Sequence, residues 1–187
     1  MASPTARNNR HARRPSLRML SLGALLGTFL TTSLTGQALA IPIEHDTRDF
    51  EGIPWGATFE ESDTFKRVDD TGRLKAYELI GTAPALGGVP VDSMRFLTAL
   101  GHFARVVVKY HGKEAHQQIV QYLEKRYGEL DRTPGQIASG AVKFYNWHGD
   151  ETNITLRYES RTDLGVLFFE SQVWAPQLSE GNSPAGF

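Results

Sequence analysis

The sequence predicts an α+β domain: one antiparallel sheet of about six strands with two helices on one face, in the element order α-β-β-β-α-β-β-β. Three observations carry this prediction. From Lys113 to Tyr127, Ala115, Ile119, Tyr122 and Leu123 fall on one helical stripe, with Tyr127 one turn later. Ile154, Leu156 and Tyr158 alternate with Asn153, Thr155 and Arg157, the period of a strand with one wet face. Turn residues punctuate the remainder at short intervals, among them Asp69-Asp70-Thr71-Gly72, Gly101-His102 and Gly149-Asp150.

The elements follow in order. Between Met1 and Leu20 stand Arg7, Arg10, Arg13, Arg14 and Arg18 and no acid; Met19 to about Leu34 is uncharged; Ala38-Leu39-Ala40 is a small-x-small site. A basic start, an apolar middle and an A-x-A exit read as a secretory signal peptide over residues 1–40, removed after Ala40. The apolar stretch falls short of the about 20 residues of a bilayer span, and Gly23, Gly27, Thr28, Thr31 and Thr32 dilute it. Arg13-Arg14-Pro15-Ser16-Leu17-Arg18 resembles a twin-arginine export motif, with Ser16 standing where a large apolar residue is usual, so both export routes stay open. Residues 41–48 read as a polar lead-in, 49–174 as the single domain and 175–187, rich in Pro, Gly and Ser, as a flexible tail.

Within the domain, Thr58-Phe59-Glu60-Glu61 is a capping box and predicts a short helix from Phe59 to about Arg67. Phe59 and Phe65 would lie roughly 120° apart around it, so the cap supports this helix more than the periodicity does. Lys75–Ile80 reads as a strand and Ala83–Gly88 as a loop. Val89–Leu100 and Phe103–Tyr110 read as strands joined at Gly101-His102. The helix Lys113–Tyr127 ends at Gly128, a residue suited to the positive φ that terminates helices. Val142–His148, Thr152–Tyr158 and Gly165–Val173 close the sheet.

Phe50-x-Gly52-Ile53-x-Trp55-Gly56, then Leu86-Gly87-Gly88-Val89, Tyr127-Gly128, and Trp147 ahead of Thr155-Leu156 resemble small exported bacterial domains that open on an F-x-G-I-x-W-G segment. The resemblance covers roughly residues 50–172. It implies the fold and, because the family has no assigned reaction, no activity. The arrangement is also similar to periplasmic helix-plus-sheet modules that bind other proteins, a likeness of fold alone.

Composition excludes several function classes. The chain has 20 Lys+Arg and 21 Asp+Glu. Without the leader's five arginines, 15 basic residues face 21 acidic ones, a formal charge of −6. Neither nucleic acid nor an anionic membrane has an electrostatic reason to bind such a surface. The chain has no cysteine, which rules out disulfides, thiolate nucleophiles and thiolate metal sites, together with a lipid anchor at Ile41. The 147 residues after the leader suffice for a core without staples.

Candidate sites are few. His111-x-x-Glu114-x-His116 has ligand-type residues without the i, i+4 pair of a helical zinc site, and the histidines read as exposed at element ends. His102 and His111 bracket one strand, roughly 30 Å apart at about 3.3 Å per residue, and cannot share an ion. No G-x-S-x-G occurs, and Leu86-Gly87-Gly88 precedes a strand where a phosphate cradle needs a helix. Glu60-Glu61, Asp69-Asp70 and Asp150-Glu151 are adjacent acids whose side chains diverge. The remaining candidate is a contact surface on the wet side of the sheet, built from Arg105, Tyr145, Trp147 and Arg157 if their strands alternate in phase.

The sequence therefore implies no catalytic residue, no metal and no cofactor. It favours a periplasmic or secreted binding or accessory module for an unknown envelope protein or small ligand, with no stable membrane anchor after cleavage. Two alternatives remain: a small metal-dependent hydrolase using His111, Glu114 and His116, and a structural envelope protein that self-associates through a strand edge.

Overall fold

Extended segments make up most of the described chain. A computed structural model describes residues 41–59, 63–130 and 136–179. The expected signal peptide, residues 1–40, lies outside them. In chain order the strands are β1 (Ile41–Pro42), β2 (Asp49–Phe50), β3 (Ile53–Pro54), β4 (Phe65–Asp70), β5 (Leu74–Leu79), β6 (Ala85–Leu86), β7 (Val89–Pro90), β8 (Ser93–Ala99) and β9 (His102–His111). Helix α1 (Lys113–Tyr127) follows, then β10 (Gln136–Ser139), β11 (Val142–His148), β12 (Thr152–Glu159), β13 (Leu164–Ser171) and the single turn α2 (Pro176–Ser179).

One nine-stranded sheet runs in the order β1-β11-β12-β13-β9-β8-β5-β4, with β10 also paired to β11. All its pairs are antiparallel except the two-residue β1 against β11. The α+β expectation of about six strands under two helices on one face is therefore corrected: the protein is mostly β.

The first expected helix accounts for one of the three strands added to the sheet, β4; the other two are β1 and β10. Phe65 to Arg67 belong to β4, not to a helix; residues 60–62 are outside the described set. A helix would splay Phe59 and Phe65 around its axis. Their rings instead stack 4.4 Å apart, 16° from parallel, and reach Tyr77 (5.4 Å from Phe59) and Phe96 (4.9 Å from Phe65). Aromatic burial of this kind outweighs the roughly 1 kcal/mol that a cap supplies.

The structure's other helix, the single turn α2, lies in the segment expected to be a flexible tail. Ala175 and Leu178, part of the expected tail, pack with Ala99, Ala104, Leu97, Leu74 and Trp174. Leu97 alternates with Phe96, a member of the main core, so α2 covers a corner of the face opposite α1.

Other elements fall where the periodicity places them. Helix α1 spans Lys113–Tyr127 and buries His116, Ile119, Leu123 and Tyr127. It lies on the face formed by Phe96, Val106, Val108, Leu156, Leu167 and Phe169, all essentially inaccessible to solvent. The expected strand from Val89 is divided into β7 and β8.

Two small hairpins explain glycine-bearing segments singled out above. In β2–β3 the two-residue loop Glu51-Gly52 has φ of 51° and 84°, the left-handed pair of a type I′ turn, and it folds Phe50 into the core. Gly87-Gly88, with φ of 57° and 83°, turns β6 into β7 in the same way. A side chain at Gly87 would also collide with the Tyr122 ring on α1.

The sheet ends differ from its interior. At one end β4 carries Lys66, Arg67, Asp69 and Asp70, and its pairing with β5 shifts register between Arg67 and Asp69. At the other end, β11 is flanked by the four-residue β10 and the two-residue β1. Among the described residues no helix is long and apolar enough to cross a membrane.

Candidate functional site

A row of side chains crosses four strands beneath the first half of α1. The registers place Tyr110 of β9 beside Gly165 of β13, Gly165 beside Tyr158 of β12, and Tyr158 beside Lys143 of β11. The next row on this face contains Val108, Leu167, Leu156 and Tyr145. Gly165 is the gap in the first row. A methyl group there would run into the Tyr110 ring, so the ring lies over the glycine and its hydroxyl extends toward α1.

His116 meets this floor from above. Its Nδ1 lies 2.8 Å from the Tyr110 hydroxyl and its Nε2 3.1 Å from that of Tyr145. The Tyr158 ring stacks on the imidazole, with centroids 3.7 Å apart and planes 3° from parallel. The Tyr158 hydroxyl donates to Asp163 Oδ1 at 2.6 Å. Asp163 has φ of 52°, a left-handed conformation that aspartate tolerates better than most residues, and its carbonyl accepts the Gly112 N–H at 3.0 Å. The β12–β13 turn is thereby tied to the start of α1.

Burial sets the protonation states. His116 is only 6% exposed. Desolvation, assisted by the nearby Lys143 ammonium, lowers its pKa to about 4, so the ring is neutral at pH 7. Burial raises the pKa of Tyr110, with Tyr145 and Tyr158 adding to the effect. Burial also raises Tyr145, with a contribution from Glu124, and pushes Tyr158 up to about 12, with help from its bond to Asp163. All three phenols keep their hydrogens.

Beside α1 this floor opens into a groove of about 700 Å³, lined in part by Lys113, His116, Lys143, Tyr145, Tyr158 and Asp163. Polar groups from α1, β11, β12 and the β12–β13 turn converge on a concave, partly aromatic wall, the usual form of a small-ligand site. Gly165→Ala tests how the floor is set. Displacing Tyr110 is expected to cost about 2 kcal/mol through overpacking and to weaken its bond to His116, read as lower chemical stability and an altered imidazole signal in NMR.

The four residues singled out from the sequence do not share a face. Tyr145 and Trp147 point toward α1 and are 5% and 1% exposed. Arg105 and Arg157 lie on the opposite face. Arg105 pairs with Glu170 at 2.5 Å and sits over the Phe168 ring at 5.8 Å; Arg157 approaches Glu159 at 3.4 Å. Trp147 instead donates its indole N–H to the Gly128 carbonyl at the end of α1, at 2.9 Å.

The histidines are also dispersed. His111 Nδ1 lies 2.5 Å from Asp92 Oδ2, Glu114 is exposed, and His116 is enclosed by tyrosines. Among the described residues no group of three or more His, Asp or Glu is placed to hold a metal ion.

Sequence reasoning took His116 for an exposed histidine or a metal ligand, whereas it is buried, and did not single out Tyr110, Tyr158, Lys143 or Asp163 as site residues. For His116 a signal existed: positions 116, 119, 123 and 127 follow helical spacing, so the histidine shares the buried stripe of Ile119 and Leu123. No family model, no curated protein and no solved structure matches the chain.

Proposed function

We propose that the chain is an exported periplasmic or secreted binding module, non-catalytic in itself, whose ligand seats in the groove beside α1. The observation that carries this reading is the convergence of polar side chains from four elements on one concave wall floored by the Tyr110–His116–Tyr145 chain. Both nitrogens of His116 are occupied by tyrosines, which suits a fixed wall and leaves no free base for chemistry. The basic, apolar and A-x-A succession of residues 1–40 supports export.

A metal-dependent hydrolase at His111, Glu114 and His116 is disfavoured by the same geometry. The two imidazoles serve Asp92 on one side and the tyrosine pair on the other.

Native mass spectrometry tests the proposal. Protein isolated from the envelope fraction is expected to carry a bound small molecule. Gln121→Trp, which puts an indole into the groove from an exposed position on α1, is expected to lose it. A bare polypeptide mass for both proteins would remove the proposal, as would ligand-bearing protein retained in the cytosol with residues 1–40 attached.

A further inference from the structure

The bonding of His116 fixes the direction of one hydrogen at the groove wall. Tyr110 is fully buried, and its hydroxyl makes one hydrogen bond among the described residues, to His116 Nδ1. Were Nδ1–H the donor, the Tyr110 hydrogen would be stranded in the core, a costly arrangement. Tyr110 therefore donates and Nδ1 accepts. A neutral imidazole carries a single N–H, which then resides on Nε2 and donates to the Tyr145 oxygen. Tyr145 has spent a lone pair and still holds its own hydrogen. It is 5% exposed, and no acceptor for that hydrogen occurs among the described residues. The open space beside Tyr145 is the groove it lines.

Two lysines line the same groove. Lys143 precedes Tyr145 by two residues on the same face of β11, and Lys113 reaches the groove from the first turn of α1. Neither ammonium has an ion-pair partner among the described residues. The groove's acids are disposed differently. Asp163 already accepts the Tyr158 hydroxyl, and Glu124 stands close enough to Tyr145 to help raise its pKa. Two lysines against two carboxylates leave the groove close to neutral, which suits a singly charged anion better than a phosphate carrying nearly two charges.

We infer that the groove takes a small carboxylate ligand, its carboxylate held between the Tyr145 hydroxyl and the Lys143 ammonium. The inference rests on the reading of this groove as the ligand site. His116 is a positioning residue: it touches no ligand and acts by consuming the Tyr145 lone pair, so that the hydroxyl presents a donor. Glu124 faces the uncharged or cationic remainder of the ligand.

A matched pair of probes tests this. N-acetylglycine and N-acetylglycinamide differ in the carboxylate alone, and each is titrated into the isotope-labelled protein while NMR signals of His116 and Lys143 are followed. The acid is expected to move these signals and the amide to leave them. Tyr145→Phe and Lys143→Gln are each expected to weaken the acid by about tenfold or more, the range of a hydrogen bond to a charged group. Lys66→Gln, the same change of charge at an exposed position of the distant edge strand β4, is expected to bind as the parent does.

Equal binding of acid and amide would overturn the inference, as would undiminished binding by Tyr145→Phe, while the groove would stand as a site. Silence from both probes would also overturn it, and the groove itself is then judged by the native mass measurement. Independently of any ligand, the imidazole nitrogen shifts must report an unprotonated Nδ1; a hydrogen found there would refute the donor assignment.

Discussion

Replacing Trp147 with alanine is expected to lower the unfolding free energy by about 4 kcal/mol, the usual loss for a large buried aromatic. That corresponds to a drop of about 2 M in the urea midpoint at an ordinary denaturant slope. Two effects combine. The indole is 1% exposed and fills space between β11 and the end of α1, so truncation leaves a cavity. It also supplies the hydrogen bond to the buried Gly128 carbonyl. Gly128, with φ of 110°, is the residue at which α1 ends, and its own N–H is bonded to the Glu124 carbonyl. Trp147→Phe separates the contributions: most apolar contact is retained, the carbonyl is left unpaired, and about 1–2 kcal/mol is lost. A loss below about 1 kcal/mol for the alanine variant would show that Trp147 does not join sheet to helix.

Acid is expected to act through His116. Its pKa in the folded protein is about 4, against an ordinary value of 6.5. The unfolded chain therefore binds a proton more readily than the folded one, and lowering the pH favours unfolding. The contribution is present in full above about pH 6.5, diminishes through the interval down to about pH 4, and is gone below it. At 1.36 kcal/mol per pH unit, this depression amounts to about 3 kcal/mol. The physical event is the loss of Nδ1 as an acceptor: a protonated ring donates from both nitrogens, and the Tyr110 hydrogen is stranded. Urea unfolding at intervals between pH 7 and 4 measures it. His116→Gln, which cannot titrate there, is expected to be less stable at pH 7 and flatter across the interval. Parallel curves for the two proteins would show that His116 does not set the acid response.

The strands around the site were legible from local pattern. Alternation in Ile154, Leu156 and Tyr158 identified β12 and its buried face, and the apolar stripe of α1 fixed the helix ends at Lys113 and Tyr127. The face of Tyr145 and Trp147 was also within reach. Directly paired residues share a face, and a loop of two or four residues between β11 and β12 pairs odd positions with even ones. Tyr145 then sides with Ile154 and Leu156, not with Arg157; the observed partner is Leu156. The helix expected at Phe59 failed for another reason. Its cap was a local signal, whereas the contacts that decide the segment come from Tyr77 and Phe96, distant in sequence. The His116 site was hidden in the same way. Its tyrosines come from β9, β11 and β12, and only the strand order brings them under one imidazole.

The two ends of the large sheet govern how the molecule behaves in a crowded compartment. Lateral polymerisation requires a long, straight row of free amides and carbonyls to template a neighbouring chain. Here one margin is kinked by the irregularity between Arg67 and Asp69 and fenced with ions of both signs, and the other is broken into pieces of four and two residues. Growth into fibrils or ladders is thus obstructed by geometry and charge even when protein is abundant, and encounters with other molecules are left to its faces and its groove.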